Sequence, residues 1–429
     1  VVPIIITVAI LGYSAIILEA PLKINKTVSA IFTGALCWLI YAFMTPEDGK
    51  MLADRLLAHF GQIASLLIFL LGAMTIVELI DLHKGFSVII HRIRTQSVLK
   101  LLWIIGLLAF FLSSMLDNLA TTIIMVTLLH KLMPRSENRM VLAGIVVVAS
   151  NAGGAFSPIG DITTTLLWIG GQVSAEGIIK NTFIPSLAVV LVPLVIASIR
   201  MRGRSGLREQ QSMSVVISEE KQRGSLRMLL SGVGALLMVP AITTLTGLPP
   251  FIGVLFGLAL VALMSESIHF RKTEDEKRVY SVGAALSKVD VNAIFYFMGI
   301  LLMVYVLEEI HVLRALAEWL QNTLPNLDFM VIAIGFLSSI VDNGSLVAAT
   351  QGMFTLDQFP VDHKLWEFIA LCAGTGGSML VIGSAAGIAV MEKEKITFMW
   401  YLKKISPLAL AGYLAGIAAY MLIYMLLRG

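Results

Sequence analysis

Charge is scarce in this chain. Of 429 residues only 14% are Asp, Glu, Lys or Arg, against roughly 25% in a soluble globular protein. That excludes a disordered chain and argues against a soluble globular one. Cysteine is nearly absent. Cys37 and Cys372 lie in separate apolar runs and provide neither a disulfide framework nor metal-ligand spacing. The short alternating segments of a membrane β-barrel are missing. So are a phosphate-binding loop, an ATP-binding motif, zinc-protease spacing and a serine–base pair. Any transport by this chain is therefore driven by an ion gradient, and an intramembrane enzyme or inert scaffold is disfavoured. The net charge of +3 sits in short loops and gives no reason to expect a nucleic-acid partner.

Long apolar runs fill the rest. Hydrophobic residues make up 57% of the chain, and runs of about eighteen or more recur from end to end, the pattern of an all-α polytopic protein with the lipid bilayer as solvent. Ten crossings are expected, over 1–19, 28–44, 62–80, 139–172, 182–200, 228–246, 251–268, 291–310, 365–391 and 405–427. Those at 139–172 and 365–391 are long and interrupted. Segments 81–98 and 311–325 mix apolar and charged residues and are expected along the membrane surface; 134–139 reads as a turn.

Two apolar stretches remain, 99–132 and 329–356, each split by an Asp-Asn pair, Asp117-Asn118 and Asp342-Asn343. Each half is ~20–27 Å of helix at ~1.5 Å per residue, short of a ~30 Å hydrocarbon core. A kinked crossing and a re-entrant hairpin both fit that length. Loop charge decides between them, because Lys and Arg collect on the cytoplasmic side. With both stretches as hairpins, 25 basic residues fall on one face and six (Lys50, Arg55, Lys180, Arg314, Lys364 and Arg428) on the other. Making either hairpin a crossing spoils that split. The hairpin arrangement puts both termini outside.

The two halves resemble each other. Ser-Ser-Met-Leu-Asp-Asn (113–118) matches Ser-Ser-Ile-Val-Asp-Asn (338–343), Asn-Ala-Gly-Gly (151–154) matches Gly-Thr-Gly-Gly (374–377), and Gly160-Asp161 matches Gly383-Ser384. Each half holds five crossings and one hairpin. Five is odd, so the second half enters the membrane inverted. The expected organisation is a first repeat over 1–200, a cytoplasmic linker over 201–227 and a second repeat over 228–429, the plan of secondary transporters whose ion sites lie on interrupted helices.

Carboxylates within the hydrocarbon are costly and usually functional. Asp117, Asp161 and Asp342 are such residues, and oxygen-bearing neighbours surround them: Ser113 and Asn118 on the first hairpin, Asn151, Thr163 and Thr164 on the first broken span, Ser338 and Asn343 on the second hairpin, and Thr375, Ser378 and Ser384 on the second broken span. A set made only of oxygens suits a hard cation. Burial opposes ionisation of a carboxylate, so such a group can hold a proton or a cation in turn. The plainer reading is that an Asp-Asn pair merely caps a helix; two symmetric pairs beside two Gly-rich breaks make that reading weak. Asp161, whose counterpart is Ser384, could cap the helix beginning at Ile162. Glu78 and Glu308 read as side chains snorkelling to the interface, and His130 as an ordinary interfacial histidine.

At these motifs the chain resembles the NhaD-type sodium/proton antiporters. The resemblance rests on Ser-Ser-Met-Leu-Asp-Asn-Leu-Ala-Thr-Thr (113–122), Ser-Asn-Ala-Gly-Gly-Ala-Phe-Ser-Pro-Ile-Gly-Asp-Ile-Thr-Thr-Thr (150–165), Ser-Ser-Ile-Val-Asp-Asn (338–343), Gly-Thr-Gly-Gly-Ser (374–378) and Ile-Gly-Ser-Ala-Ala-Gly (382–387). It implies the ion transporter superfamily fold, a homodimer in a bacterial inner membrane, and exchange of cytoplasmic Na+, often Li+ too, for external H+. It implies functional roles for Ser113, Asp117, Asn118, Asn151, Asp161, Thr163, Thr164, Ser338, Asp342, Asn343 and Ser378. In this reading Asp117 and Asp342 bind Na+ or H+ competitively, and Thr375 adds to the cage from the second half. No cofactor is expected beyond the transported ions. Val381 stands where a second serine would be expected. The rival reading on the same fold is a sodium-coupled carrier of small di- or tricarboxylates.

Overall fold

The computed structural model describes residues 2–45, 49–90, 93, 95, 97–202, 224–270, 273–324 and 326–428. Among them the regular structure is entirely helical. The helices are α1 (Val2–Ile17), α2 (Glu19–Leu22), α3 (Lys26–Met44), α4 (Gly49–Leu82), α5 (Ser87–Ile90), α6 (Val98–Ser113), α7 (Asn118–Leu132), α8 (Glu137–Gly154), α9 (Ile162–Ile169), α10 (Ala175–Arg202) and α11 (Ser225–Thr246). They continue with α12 (Pro250–Ile268), α13 (Glu274–Arg278), α14 (Val282–Leu286), α15 (Val291–Glu309), α16 (Val312–Thr323), α17 (Leu327–Leu337), α18 (Asn343–Met353), α19 (Lys364–Gly376), α20 (Ala385–Glu394), α21 (Phe398–Lys404) and α22 (Ser406–Arg428). Most of the expected linker, 203–223, lies outside the described residues.

Seven described helices are long and apolar enough to cross a bilayer unbroken: α3, α4, α10, α11, α12, α15 and α22. The other expected crossings fall on α1 and on two broken helices, α8–α9 and α19–α20. The Asp-Asn stretches are helix–turn–helix units, α6–α7 and α17–α18. Polar residues set these boundaries. Asn25, Ser97, Ser136 and Asp290 each accept a backbone N–H at the start of α3, α6, α8 and α15, the role for which short oxygen-bearing side chains are preferred. The outer surface is apolar, with Phe43 86% and Leu245 85% exposed, as lipid contact requires.

The structure extends two expected spans. α4 runs 34 residues, not only over 62–80. Its first turns carry polar side chains that hydropathy discounts, yet Arg55 and His59 hold Glu309 of α15 at 3.0 and 2.8 Å and keep the helix going. α10 begins at Ala175 and continues through Pro185 and Pro193. In the segment 311–325, α16 is amphipathic, burying Leu313 and Ala317 while Trp319 is exposed. In 81–98, between the end of α4 and the start of α6, the described helix is α5.

Packing repeats between the halves. α1 packs on α3 as α11 does on α12, α3 on α15 as α12 does on α4, α6 on α8 as α17 does on α19, and α7 on α20 as α18 does on α9. Glycines make the closest of these contacts possible. A Cβ on Gly153 would strike the carbonyl of Phe110, and one on Gly376 that of Gly335. Within each break, a Cβ on Gly160 would lie 2.5 Å from Ser113 O, and one on Gly383 2.5 Å from Ser339 O. Each broken helix therefore lies backbone to backbone against its hairpin. At the opposite end of the first hairpin a buried carboxylate ties α7, α8 and α20. Arg139 Nη2 and His130 Nε2 lie 3.1 and 2.7 Å from the Glu394 carboxylate, whose side chain is 0% exposed.

Candidate functional site

Four irregular segments converge: hairpin turns 114–117 and 338–342, and helix breaks 155–161 and 377–384. Interrupting a helix inside a membrane frees backbone groups that need new partners. Threonines supply them at the first break. Thr164 Oγ1 lies 3.2 Å from Gly154 O and 3.0 Å from Asp161 O, and Thr165 Oγ1 donates to Pro158 O at 2.9 Å. The hairpins are pinned alongside in the same manner. Ser113 Oγ donates to Ser150 O at 2.6 Å and Ser338 Oγ to Ala373 O at 2.7 Å.

Asp161 lies at the centre, 2% exposed. Its Oδ1 accepts from Asn118 Nδ2 at 3.2 Å, and its Oδ2 from Asn343 Nδ2 and Thr163 Oγ1, both at 3.0 Å. Asn118 also donates to Asn151 Oδ1 at 3.0 Å, and Asn151 Nδ2 donates to Ser378 and Ser384 Oγ, each at 3.0 Å. One network thus takes a side chain from both hairpins and both broken helices. Asp161 does not cap α9 with its side chain. Its carboxylate is turned to the amides, beside the positive end of that helix. Gly374 packs beside the carboxylate, where an added Cβ would press on Ala155 Cβ at 3.1 Å and Thr163 Oγ1 at 3.3 Å.

Within each Asp-Asn pair the labour is divided. Asn118 and Asn343 are buried and point into the network, whereas Asp117 and Asp342 are half-buried. Asp117 Oδ1 accepts the N–H of Ala120 at 2.8 Å, and Asp342 Oδ2 accepts the N–H and hydroxyl of Ser345, each at 3.3 Å. Both aspartates therefore cap their helices while standing within electrostatic reach of Asp161. Thr375 donates to Leu371 O of its own helix at 2.6 Å rather than to this network. Val381 is fully buried among apolar residues that include Ala386 and Val390.

Two contributors are less evident in sequence. Ser384 joins the network, and its signal is positional: it occupies the place of Asp161 in the second half. Tyr401 donates to Ser378 O at 2.9 Å from the short helix α21, steadying the second break; nothing in its local sequence marks it. The described side-chain partners of Asp161 are uncharged donors, and the assembled oxygens are carboxylate, amide and hydroxyl. Chemically this is a set of hard ligands around one acidic group.

A family model described as citrate transporter matches residues 8–363. The chain is 44% identical over 415 residues to sodium/proton antiporter 1 of Arabidopsis thaliana, covering 96% of this chain and 71% of that protein. It is 30% identical over 443 residues to the Na+/H+ antiporter NhaD of Vibrio cholerae, covering 96% and 90%. The solved structure of the Alcanivorax borkumensis YdaH transporter superposes with a TM-score of 0.58 at 12% identity, covering 93% of this chain and 97% of that one, a likeness of fold.

Proposed function

The chain belongs to the citrate-transporter family and, within the ion transporter superfamily, to its NhaD-type antiporters; from that premise we propose that it exchanges Na+ for H+ across a membrane by alternating access. The observation that carries this reading is Asp161, a buried carboxylate joined to amides from both hairpin tips. A carboxylate in a shielded site takes one positive charge at a time, and H+ and Na+ compete for it. When Na+ enters, Asn118 and Asn343 can rotate their amides and offer oxygen in place of N–H, Asn151 and Thr163 add hard oxygens, and Ser378 adds a hydroxyl. Asp117 and Asp342 hold the hairpin helices and supply further negative charge at the tips. The fit to Li+, a smaller hard cation with the same ligand preference, belongs to this proposal, as do the inverted repeats and the homodimer.

For access to alternate, the hairpins and broken helices move as a unit against α1, α3, α4, α11, α12 and α15. The packing supports this division for the first hairpin: the six helices associate mainly with one another, and α6–α8, α10 and α20 share a separate apolar core, whereas α9 and α17–α19 share the core of the six and form the surface across which the motion would occur. The family's description as citrate transporters favours the second reading, a sodium-coupled carboxylate carrier. Against it, the described side chains of the network include no Lys or Arg to receive an anion.

Dye-reported ΔpH in proteoliposomes, with NaCl, LiCl and KCl added in turn, tests the proposal. A response to NaCl and LiCl is expected. No response to NaCl, together with Na+-accelerated uptake of labelled succinate or citrate, would move the assignment to the carboxylate carrier.

A further inference from the structure

A cavity of ≈ 700 Å³ opens beside the network, between helices of the two groups. α4 contributes Gln62 and Ser65, α15 contributes Tyr305 and Glu308, and Gln172 and Gln351 come from the segment after α9 and from α18. It lies at the ends of α9 and α15 and at the turn between α11 and α12, on the face with few basic residues. Its floor includes Leu166 and Ala348, each five residues along its helix from Asp161 and Asn343. At 1.5 Å per residue the floor is ~7–8 Å from the network. Gln351 fastens the wall across the two halves, donating to Leu166 O at 3.0 Å and to Gln172 Oε1 at 2.8 Å.

Two adjacent glutamates end α15 and have different surroundings. Glu309 is neutralised by Arg55 and His59. Glu308 is exposed to the cavity and, among the described residues, has neither a hydrogen bond nor an ion pair; His59 and Glu309 are the charged groups acting on it. Gly352 of α18 packs 3.8 Å from its Cβ, measured from an added Cβ, so the carboxylate stands where the hairpin borders α15. Simple snorkelling would send it away from the protein, whereas it lines a polar chamber leading toward Asp161.

We propose that Glu308 is the cation-collecting residue of this chamber, a positioning site for a hydrated alkali cation between solvent and the Asp161 network. Its negative charge in a low-dielectric cleft raises the local cation concentration. The inference deepens the exchange reading and rests on it. Glu78 is the counterpart in the first half, near the other end of α4, with Asp81, Lys288 and Asp117 as its charged neighbours.

The test uses full-length protein in right-side-out and everted vesicles, with NaCl varied on one face at a time. Glu308→Gln should raise the half-saturating Na+ ~3–10-fold on the chamber face alone, with the saturated rate changed less than twofold and Glu308→Asp recovering most of the loss. Glu78→Gln should leave that face unaffected. An equal rise on both faces marks a structural defect and overturns the inference, as does no rise on either. A wild-type protein unresponsive to every alkali cation overturns the exchange reading and this inference with it. A wild-type response with a null or symmetric Glu308→Gln effect overturns the inference alone.

Discussion

Asn343 reaches Asp161 across 182 residues of chain, donating to its Oδ2 at 3.0 Å. Asn118 meets the other oxygen of the same carboxylate. One acidic group is thus shared by the tips of both hairpins and ties them to the first break. On the proposed exchange reading, the charge at Asp161 sets how tightly the two tips are held to each other, which links occupancy of the site to the cohesion of the moving unit.

Asp161→Asn removes the charge with little change in shape. Exchange measured as Na+-driven ΔpH should fall by about 100-fold or more, ~2.7 kcal/mol of lost transport free energy at 1.36 kcal/mol per decade. Stability should change little, because the cost of a buried ionised group is removed and Asn118 or Asn343 can turn its amide oxygen toward the new N–H. Thermal unfolding in detergent checks the second half of the prediction. A melting temperature reduced in step with activity would make Asp161 a structural residue.

Asp117→Asn and Asp342→Asn separate two roles that coincide in the wild type. Asn caps a helix about as well as Asp, so α7 and α18 should keep their starts and the protein its yield and melting temperature. Loss of exchange in these variants therefore reports charge. Ala at either position should lose activity and also ~1 kcal/mol of stability through the missing cap. Wild-type exchange rates in both Asn variants would leave capping as the whole role of these residues.

The hairpins and the breaks are legible in sequence because glycine and Asp-Asn interrupt apolar runs at matching places. The division within each Asp-Asn pair is not. A helix start and a cation site call for the same residue types, and only the backbone path shows that Asn118 and Asn343 turn inward while Asp117 and Asp342 cap. Asp161 illustrates the same limit, since position alone suggests a cap and its side chain makes no cap bond. Ser384 is legible as a hydroxyl on the second broken span and as the counterpart of Asp161 in the repeat. The early turns of α4 escape a hydropathy reading because Arg55 and His59 are satisfied by Glu309, 254 and 250 residues away in the chain.

On the proposed reading, competition for a single carboxylate sets the sign of the pH dependence. As pH falls, the protonated fraction grows and the half-saturating Na+ must rise; as pH increases, it must approach a constant value. One-for-one competition gives a limiting slope of about tenfold per pH unit, and by reciprocity Na+ releases the proton with equal coupling. Initial rates against NaCl at a series of pH values check this. A half-saturating concentration that does not move with pH would mean that the two ions use separate groups.

Gly153 and Gly376 are not interchangeable with alanine. A Cβ on Gly153 meets the Phe110 carbonyl, and one on Gly376 meets that of Gly335. The obstacle in each case is backbone, which cannot swing aside as a side chain would. Overpacking of this kind typically costs ~1–3 kcal/mol, and here it also pushes hairpin and broken helix apart. Gly153→Ala and Gly376→Ala should each lower the melting temperature, and the hydrogen bond from Ser113 to Ser150 O or from Ser338 to Ala373 O should loosen with it. Gly234, where an added Cβ meets nothing within 4 Å, is the control. Gly234→Ala should be neutral or slightly stabilising, because alanine in a helix interior is favoured by ~1 kcal/mol over glycine. Equal melting temperatures for all three variants would show that the close backbone contacts do not hold the hairpins in place.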